Sequence, residues 1–325
     1  MEVQVQFLTI KKDMKSLYIK IFILLGCFFY INMLYGQSYQ QLREKAKQCI
    51  IYQNQGNWEA AAIINNELAM IPDDSLKEST RRFKGEALFR LGHFYLHAHY
   101  YIYDLMKAIS FFKQASEYDM YRYLLELYLA LIYNDGRYGV CDYDKSLYWL
   151  KKGCKKRAVL KYLLGEVYAF GFTHFLKNTG NAINTFELTS TTLVFPNIGK
   201  DMHKAYQLFY DFYKTSYYIN SQDKISKYDI GVAFMDGTYL SKDYEKAYEF
   251  LINDVPSFED LQEDLSFYKN PQTADALYRL SQMYRFGYGT TANEHRANQY
   301  LKYAALCGNK KAQSVFSSKN IEMDH

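Results

Sequence analysis

Small and bulky apolar residues recur at fixed spacing along most of this chain. If a small starter residue is position 0, an aromatic residue follows at position 3 and, usually, a glycine at position 6. Four of the five copies place Asp or Asn at position 12. A basic residue then stands at position 15, a small residue at position 16 and a bulky apolar residue at position 19. The starters are Gly92, Ala130, Gly165, Gly231 and Ser281. A repeat of this length predicts stacked helix pairs.

Each repeat position has a structural reason. The starter and the aromatic residue lie about one turn apart on one helix face, where the small residue lets a neighbouring helix approach. Glycine at position 6 ends the first helix in the left-handed conformation, although Ala98 replaces it in the first copy. The expected helix-ending glycines are Gly136, Gly171, Gly237 and Gly287. The expected N-caps of the second helices are Asp104, Asp142, Asp201, Asp243 and Asn293. We expect the basic residue at position 15 to point to water.

This set of positions resembles the Sel1-like repeat family of the tetratricopeptide-repeat-like superfamily. The match is clearest in Leu277–Ala312 and next clearest in Ala130–Gly165. The resemblance implies a right-handed αα-solenoid that acts as an adaptor for other proteins. We therefore expect an all-α fold, a right-handed solenoid of about six stacked helix pairs with two insertions.

Breaks in the spacing predict the domain organisation. The third copy places its Asp 36 residues after the starter (201 − 165), which is 24 more than elsewhere, and a smaller excess falls in Asn253–Thr273. Upstream, Gly56 to Ala61 and Pro72 resemble a tetratricopeptide unit that would serve as a terminal cap. The expected segments are a signal peptide at 1–36, an N-terminal helix pair at 37–80, repeats at 84–172, an insertion at 173–200, repeats at 201–316 and a tail at 317–325.

The insertion in the third copy contains two kinds of sequence. Its first half is rich in Asn and Gly and predicts a turn or loop. Its second half, Phe186 to Phe195, is rich in β-branched residues and favours a strand or short hairpin. The alternation of apolar and polar residues does not determine which face of that strand is buried. A flexible surface loop is an equally good interpretation.

The N-terminus has the composition of an export signal. A basic head at Lys11 to Lys20 precedes the apolar run Ile21–Tyr35, which is short for a membrane span of about 20 residues. We expect cleavage between Gly36 and Gln37, no stable membrane span afterwards, and a protein exported to the periplasm or cell surface of a bacterium. Lipidation at Cys27 is an alternative, but apolar residues follow that cysteine.

Charge and cysteine content narrow the function classes. The net charge is +4, so the chain lacks a strong electrostatic footprint for nucleic acid. The basic run from Lys151 to Lys161 is interpreted as a solvated helix end, with an anion-binding patch as the alternative. The cysteines beyond the signal segment form no disulfide framework, and we expect them to be reduced. They are Cys49, Cys141, Cys154 and Cys307.

Candidate chemical motifs are sparse. His93 and His97 lie at i and i+4, a spacing that can grip zinc, but no further ligand is evident. Residues 287–292 match a dinucleotide fingerprint, yet a helix is expected before them where that motif needs a strand. The carboxylates at 259, 260, 263 and 264 resemble a solvated helix face. We predict no catalytic residue, no metal site and no cofactor.

The sequence therefore predicts a non-catalytic scaffold that binds an unidentified protein partner. Two alternatives remain open: a glycan- or peptidoglycan-binding module that uses the many tyrosines, and a weak hydrolase that uses the 173–200 insertion. A continuous exposed aromatic groove would favour the glycan module, whereas scattered tyrosines would favour the scaffold.

Overall fold

The computed structural model describes residues 38–118, 125–174, 192–215 and 224–319. They fall into two compact units. The described part of unit 1 is 38–118 and 125–142, and that of unit 2 is 143–174, 192–215 and 224–319. The expected signal peptide at 1–36, Cys27 and most of the insertion lie outside the described residues. No helix in the described ranges combines the length and apolar character that a membrane crossing requires.

The described part of unit 1 contains five α-helices. A capping box formed by Ser38 and Gln41 starts the first helix. The helices are α1 (Tyr39–Asn54), α2 (Trp58–Ala69), α3 (Glu78–Leu96), α4 (Leu105–Ala115) and α5 (Leu125–Asn134). Consecutive helices from α1 to α4 pack against each other.

Unit 2 contains nine described helices and one two-stranded sheet. The helices are α6 (Tyr143–Cys154), α7 (Ala158–Phe170), α8 (Met202–Thr215), α9 (Lys227–Asp236), α10 (Tyr244–Ile252), α11 (Phe258–Glu263), α12 (Pro271–Phe286), α13 (Glu294–Leu306) and α14 (Lys310–Lys319). Strands β1 (Phe172–His174) and β2 (Thr192–Val194) pair antiparallel. The main packed pairs are α7 with α8, α9 with α10 and α12 with α13. The predicted all-α fold of helix pairs is confirmed.

In three copies a glycine starter lets the second helix of the pair approach closely. A Cβ added to Gly92 would lie 2.6 Å from the Phe112 ring, and one added to Gly165 would lie 2.6 Å from the Phe209 ring. The same addition to Gly231 would meet Leu251 at 2.8 Å. Phe112 and Leu251 stand at position 20 of their copies. Phe209 stands at position 20 as well when the 24 extra residues of the third copy are not counted. The insertion therefore leaves the helix contact of the third pair intact.

One backbone hydrogen bond closes all five copies. The N–H at position 12 donates to the carbonyl at position 3, at 2.8 to 3.2 Å: Asp104 to Tyr95, Asp142 to Tyr133, Asp201 to Tyr168, Asp243 to Phe234, and Asn293 to Tyr284. Four of the predicted N-caps also accept the expected bond from the N–H three residues on. They are Asp104, Asp201, Asp243 and Asn293.

The predicted helix-ending glycines are correct in three copies and wrong in one. Gly171, Gly237 and Gly287 cap their helices with φ between 71° and 80°. Gly136 does not, because α5 ends at Asn134 and Gly136 begins a short 3₁₀ turn; the positive φ falls on Gly139 instead. Ala98 adopts the left-handed conformation with φ 52° despite its Cβ.

The described ends of the first insertion form the β1–β2 pair. Leu193 and Phe195 are buried and Val194 is exposed, so the side of the predicted strand that contains Leu193 faces the core. The second excess forms α11 and a 3₁₀ turn at Leu265–Tyr268. Both insertions thus end on packed backbone of unit 2.

Candidate functional site

We call the contacts shared by the repeat copies the frame. The basic side chain at position 15 takes part in these contacts. In four copies its charged group lies 5.2 to 5.6 Å from the centre of the ring at position 3: Lys107 over Tyr95, Lys204 over Tyr168, Lys246 over Phe234 and Arg296 over Tyr284. The Lys246 ammonium also lies 2.7 Å from Asp243, and this contact lowers the pKa of the Asp243 carboxyl. The prediction that position 15 points to water is therefore incomplete. These cations are solvated, but they are engaged with their own repeat.

Contacts to α2 and α3 hold the connection between α3 and α4 in place. We call residues 97–104 the tyrosine loop. The His99 ring stacks on Trp58 at 4.2 Å, and the Tyr101 ring stacks on Tyr95 at 4.3 Å. The Asn66 amide donates to the Tyr101 hydroxyl at 2.6 Å. These contacts tie the loop to α2 and α3, so its conformation is fixed by packing.

Next to these anchors, the tyrosine loop and the first turn of α4 expose apolar side chains to solvent. Ile102 is 90% exposed, Tyr100 and Tyr103 are also exposed, and Met106 in the first turn of α4 is 69% exposed. The repeat pattern does not require an apolar residue at the position of Met106. At position 14, where the first copy has Met106, the other copies carry Asp144, His203, Glu245 and His295. Grouped apolar side chains on a rigid surface are typical of binding sites.

The histidines of the first copy come together. The centres of the His93 and His97 rings lie 4.2 Å apart, and His99 lies 5.3 Å from His93. Across the ranges that the structure describes, no group of three or more His, Cys, Asp or Glu side chains is placed to hold a metal ion. The observed contacts of the cluster are aromatic stacking, which includes Trp58.

Burial of His93 makes unit 1 sensitive to acid. Burial, with smaller effects of His97 and His99, lowers the pKa of His93 from 6.5 to about 3. The folded state then binds fewer protons than the unfolded state between these values, so stability is complete above pH 6.5 and is lost as the pH falls towards 3. Unit 1 should lose about 1–2 kcal/mol of unfolding free energy between pH 7.5 and pH 5.

Trp58 emission reports this effect in a Trp149→Phe background, because the chain has two tryptophans and Trp58 stacks on His99. Urea unfolding at the two pH values gives the difference. In His93→Phe the dependence should flatten. An equal slope in both proteins would contradict the assignment to His93.

The base of the first insertion contains a buried carboxylate. Glu166 accepts a hydrogen bond from the Thr173 hydroxyl, and the Lys224 ammonium lies 3.7 Å from it. The same ammonium lies 4.3 Å from the centre of the Phe172 ring and 5.0 Å from that of Phe170. This arrangement ties β1, and Lys224 in the segment that leads into α9, to α7, which is a structural use of the buried charge.

The glycines of the suspected nucleotide motif have structural uses. A helix, α12, precedes Gly287 as predicted, and Gly287 ends it. Gly289 lies against the backbone of α10, where an added Cβ would be 1.9 Å from the Tyr244 carbonyl oxygen. Beside it the Tyr288 ring stacks on Tyr244 at 4.7 Å. The turn therefore joins the fourth and fifth copies.

The charged runs are surface features. Lys151 and Lys155 are exposed, and the Lys152 ammonium lies 4.6 Å from the centre of the Trp149 ring. The carboxylates of α11 are exposed as predicted, with Asp260 completing a capping box with Ser257. Each of the four later cysteines is a free thiol, and Cys49 and Cys307 are buried.

Comparison with known proteins agrees with the internal pattern. The Sel1 repeat family matches residues 85–117, 126–157, 225–252 and 274–309. These ranges contain four of the five starters; the third copy, which carries the insertion, is not among them. No curated protein matches the chain.

Two solved structures are similar to this chain. A Sel1 repeat protein from Oxalobacter formigenes is 19% identical, with 91% of this chain and 73% of that chain covered and a TM-score of 0.37. A protective antigen present in uropathogenic Escherichia coli strains, which displays an SLR fold, is 14% identical, with 86% and 53% covered and a TM-score of 0.35.

Proposed function

We propose that this chain, a Sel1-repeat protein by its four matched repeats, is a non-catalytic scaffold that binds another protein through the tyrosine loop. Sel1 repeats are typically protein-interaction modules. The observation that carries the proposal is the exposure of Ile102, on a loop fixed by packing, and of Met106, in the first turn of α4. A fixed loop loses little conformational entropy on binding, so its apolar area contributes more fully to affinity.

The repeat contacts support a division of roles between residues that build the scaffold and residues that bind the partner. In the first and fourth copies, the residues at positions 0, 3, 12, 15 and 20 are engaged in helix contacts, hydrogen bonds and ring contacts within their own repeat. Partner specificity must then come from positions that vary among the copies. Position 14 is such a position, and Met106 is its single apolar member.

Export belongs to the same proposal. The basic head and the apolar run Ile21–Tyr35 support secretion, with cleavage after Gly36, to a bacterial periplasm or cell surface. Pulse labelling of the full chain in its native cell, followed by mass analysis of the mature N-terminus, would test it. A mature protein that starts at Gln37 is expected, and an intact Met1 or Met14 start would refute it.

The glycan-binding alternative receives less support. The exposed aromatic side chains of the described residues are Tyr39, Tyr100, Tyr103, Tyr148, Phe267, Phe286 and Tyr288. They belong to different elements of two units, whereas tyrosines such as Tyr128, Tyr133 and Tyr284 are buried. Scattered exposure favours the scaffold by the criterion stated above.

Affinity capture with matched variants tests the scaffold function. The full chain is used as bait in extract of its own cell envelope, and bound proteins are quantified by mass spectrometry. Ile102→Asp should reduce recovery of the partner at least about tenfold, the loss typical of a hot-spot residue. Phe267→Asp is the control, because Phe267 is 84% exposed in unit 2.

A partner recovered equally with wild type and Ile102→Asp would overturn the assignment to the tyrosine loop. A chain in which a two-residue Asn-Gly turn replaces residues 175–191 then tests the insertion while keeping the β1–β2 pair and the buried Thr173, Leu193 and Phe195. Loss of the partner in that chain alone would move the site to the insertion.

A further inference from the structure

Two copies of the repeat end their first helix with an aromatic residue, a glycine and a second aromatic residue. Helix α7 ends at Phe170 and α12 ends at Phe286, and a left-handed glycine follows each of them. The next residue, at position 7, is Phe172 in the third copy and Tyr288 in the fifth. The centres of the two rings lie 6.4 Å apart in the third copy and 5.5 Å apart in the fifth. Both copies therefore carry an aromatic pair at positions 5 and 7.

In the third copy a lysine lies over this pair. The Lys224 ammonium is 4.3 Å from the centre of the Phe172 ring and 5.0 Å from that of Phe170. It is also 3.7 Å from Glu166, which stands at position 1, one turn before Phe170 on α7. The face of an aromatic ring is negative and attracts a cation. The aromatic pair of the third copy is thus a lysine-binding site that the chain fills itself.

Position 5 of the fourth copy also meets a cation. Asp236 stands there, and the Arg279 guanidinium from α12 lies 3.1 Å from its carboxylate. Position 5 therefore accepts a positive charge in both copies, although the residue is an aromatic ring in one and a carboxylate in the other.

In the fifth copy the aromatic pair is open to solvent. Phe286 is 57% exposed and Tyr288 is 39% exposed, whereas both rings of the third copy are half-buried. The Tyr288 ring stacks on Tyr244 at 4.7 Å, and the Lys242 ammonium lies 5.3 Å from the centre of the Tyr244 ring. These contacts hold Tyr288 in place from one side. The exposed ring of Phe286 is left for a group from outside.

We infer that Phe286 and Tyr288 bind a lysine side chain of a protein partner. The ammonium takes the place over positions 5 and 7 that Lys224 takes in the third copy. Position 1 of the fifth copy holds Gln282 in place of a carboxylate, so the lysine is held less firmly than Lys224 and the contact is reversible. The inference rests on the proposed function only in that the lysine belongs to a protein.

Saturation-transfer NMR of a lysine peptide with the full chain tests the inference. The probe is Gly-Ser-Lys-Ser-Gly with blocked ends, and the same peptide with an acetylated lysine side chain lacks the charge. Wild type should saturate the ε-methylene protons of the lysine most strongly. Phe286→Ala should weaken the dissociation constant about fivefold, as expected for the loss of an exposed cation–π contact. Phe267→Ala, which removes an 84% exposed ring elsewhere in unit 2, should leave it unchanged.

A second variant rebuilds the site of the third copy. Gln282→Glu places a carboxylate at position 1, one turn before Phe286, and should tighten peptide binding about threefold, as expected for a partly exposed ion pair. Unchanged circular dichroism establishes that both variants fold. Weaker binding by Gln282→Glu would contradict the equivalence of the two copies and overturn the inference.

Three other results would overturn the inference. They are no binding of the lysine peptide to wild type, equally tight binding of the acetylated peptide, and equal losses in Phe286→Ala and Phe267→Ala. Ile102→Asp, which tests the tyrosine loop, should leave peptide binding unchanged. A failure of this site and a failure of the tyrosine loop are therefore distinguished.

Discussion

Gly289→Ala should cost unit 2 more than about 3 kcal/mol of unfolding free energy, the range of the most damaging single substitutions. The added Cβ would lie 1.9 Å from the Tyr244 carbonyl oxygen and 2.3 Å from its carbon, and both are backbone atoms at the start of α10. The backbone cannot move away without disturbing the contact between the fourth and fifth copies. The φ of 67° adds a smaller strain.

Gly287→Ala is the matched control. Gly287 has a φ of 71°, but the nearest atom to its added Cβ is 3.5 Å away. Its cost should be about 1 kcal/mol, the strain of a left-handed alanine alone. Urea unfolding followed by circular dichroism and by Trp149 emission, in a Trp58→Phe background, measures both. Equal costs would contradict the close approach of the Gly289 turn to α10.

Phe209→Ala should cost unit 2 about 3–5 kcal/mol. Phe209 is fully buried at position 20 of the third copy, and its ring occupies the space that a Cβ on Gly165 would need. Truncation removes buried apolar surface and leaves a cavity between α7 and α8.

Leu208→Ala is the control for this prediction. Leu208 is its direct neighbour at position 19 and is half-buried, so its truncation should cost about 1–2 kcal/mol. Both variants are unfolded in urea with Trp149 as the probe. A larger loss for Leu208→Ala would show that position 19, and not position 20, holds the pair together.

The frame could be predicted because its positions depend on local chemistry. A starter that allows close approach, a capping Asp and a left-handed glycine each have a physical requirement that few residue types meet. The error at Gly136 has the same origin. Two glycines, Gly136 and Gly139, stood near the end of α5, and spacing alone selected the one that continues into a 3₁₀ turn.

Position 20 was missed because two adjacent positions are both apolar. Position 19 holds Phe111, Trp149, Leu208, Phe250 and Tyr300, while position 20 holds Phe112, Leu150, Phe209, Leu251 and Leu301. Neighbouring residues point about 100° apart on a helix, so only one can face the starter. The signal was present: position 20 is Phe or Leu in every copy and never carries a polar atom.

The tyrosine loop could not be found from sequence because tyrosine suits both core and surface. Tyr100, Tyr101 and Tyr103 are close in sequence, yet Tyr101 stacks on Tyr95 while the other two are exposed. Comparison of position 14 among the copies would have singled out Met106. The face of the predicted strand was undetermined for a similar reason, because both of its sides carry apolar residues.

One set of repeat contacts builds the copies of this chain, including the interrupted third one. Hydrogen exchange of the Asp201 amide, measured beside those of Asp243 and Asn293, tests it most directly. The Asp201 N–H donates to the Tyr168 carbonyl at 3.0 Å across the insertion. We expect its protection to match that of Asp243 and to persist when a two-residue Asn-Gly turn replaces residues 175–191. Exchange of Asp201 at the rate of an unprotected amide, with Asp243 and Asn293 protected, would contradict the claim.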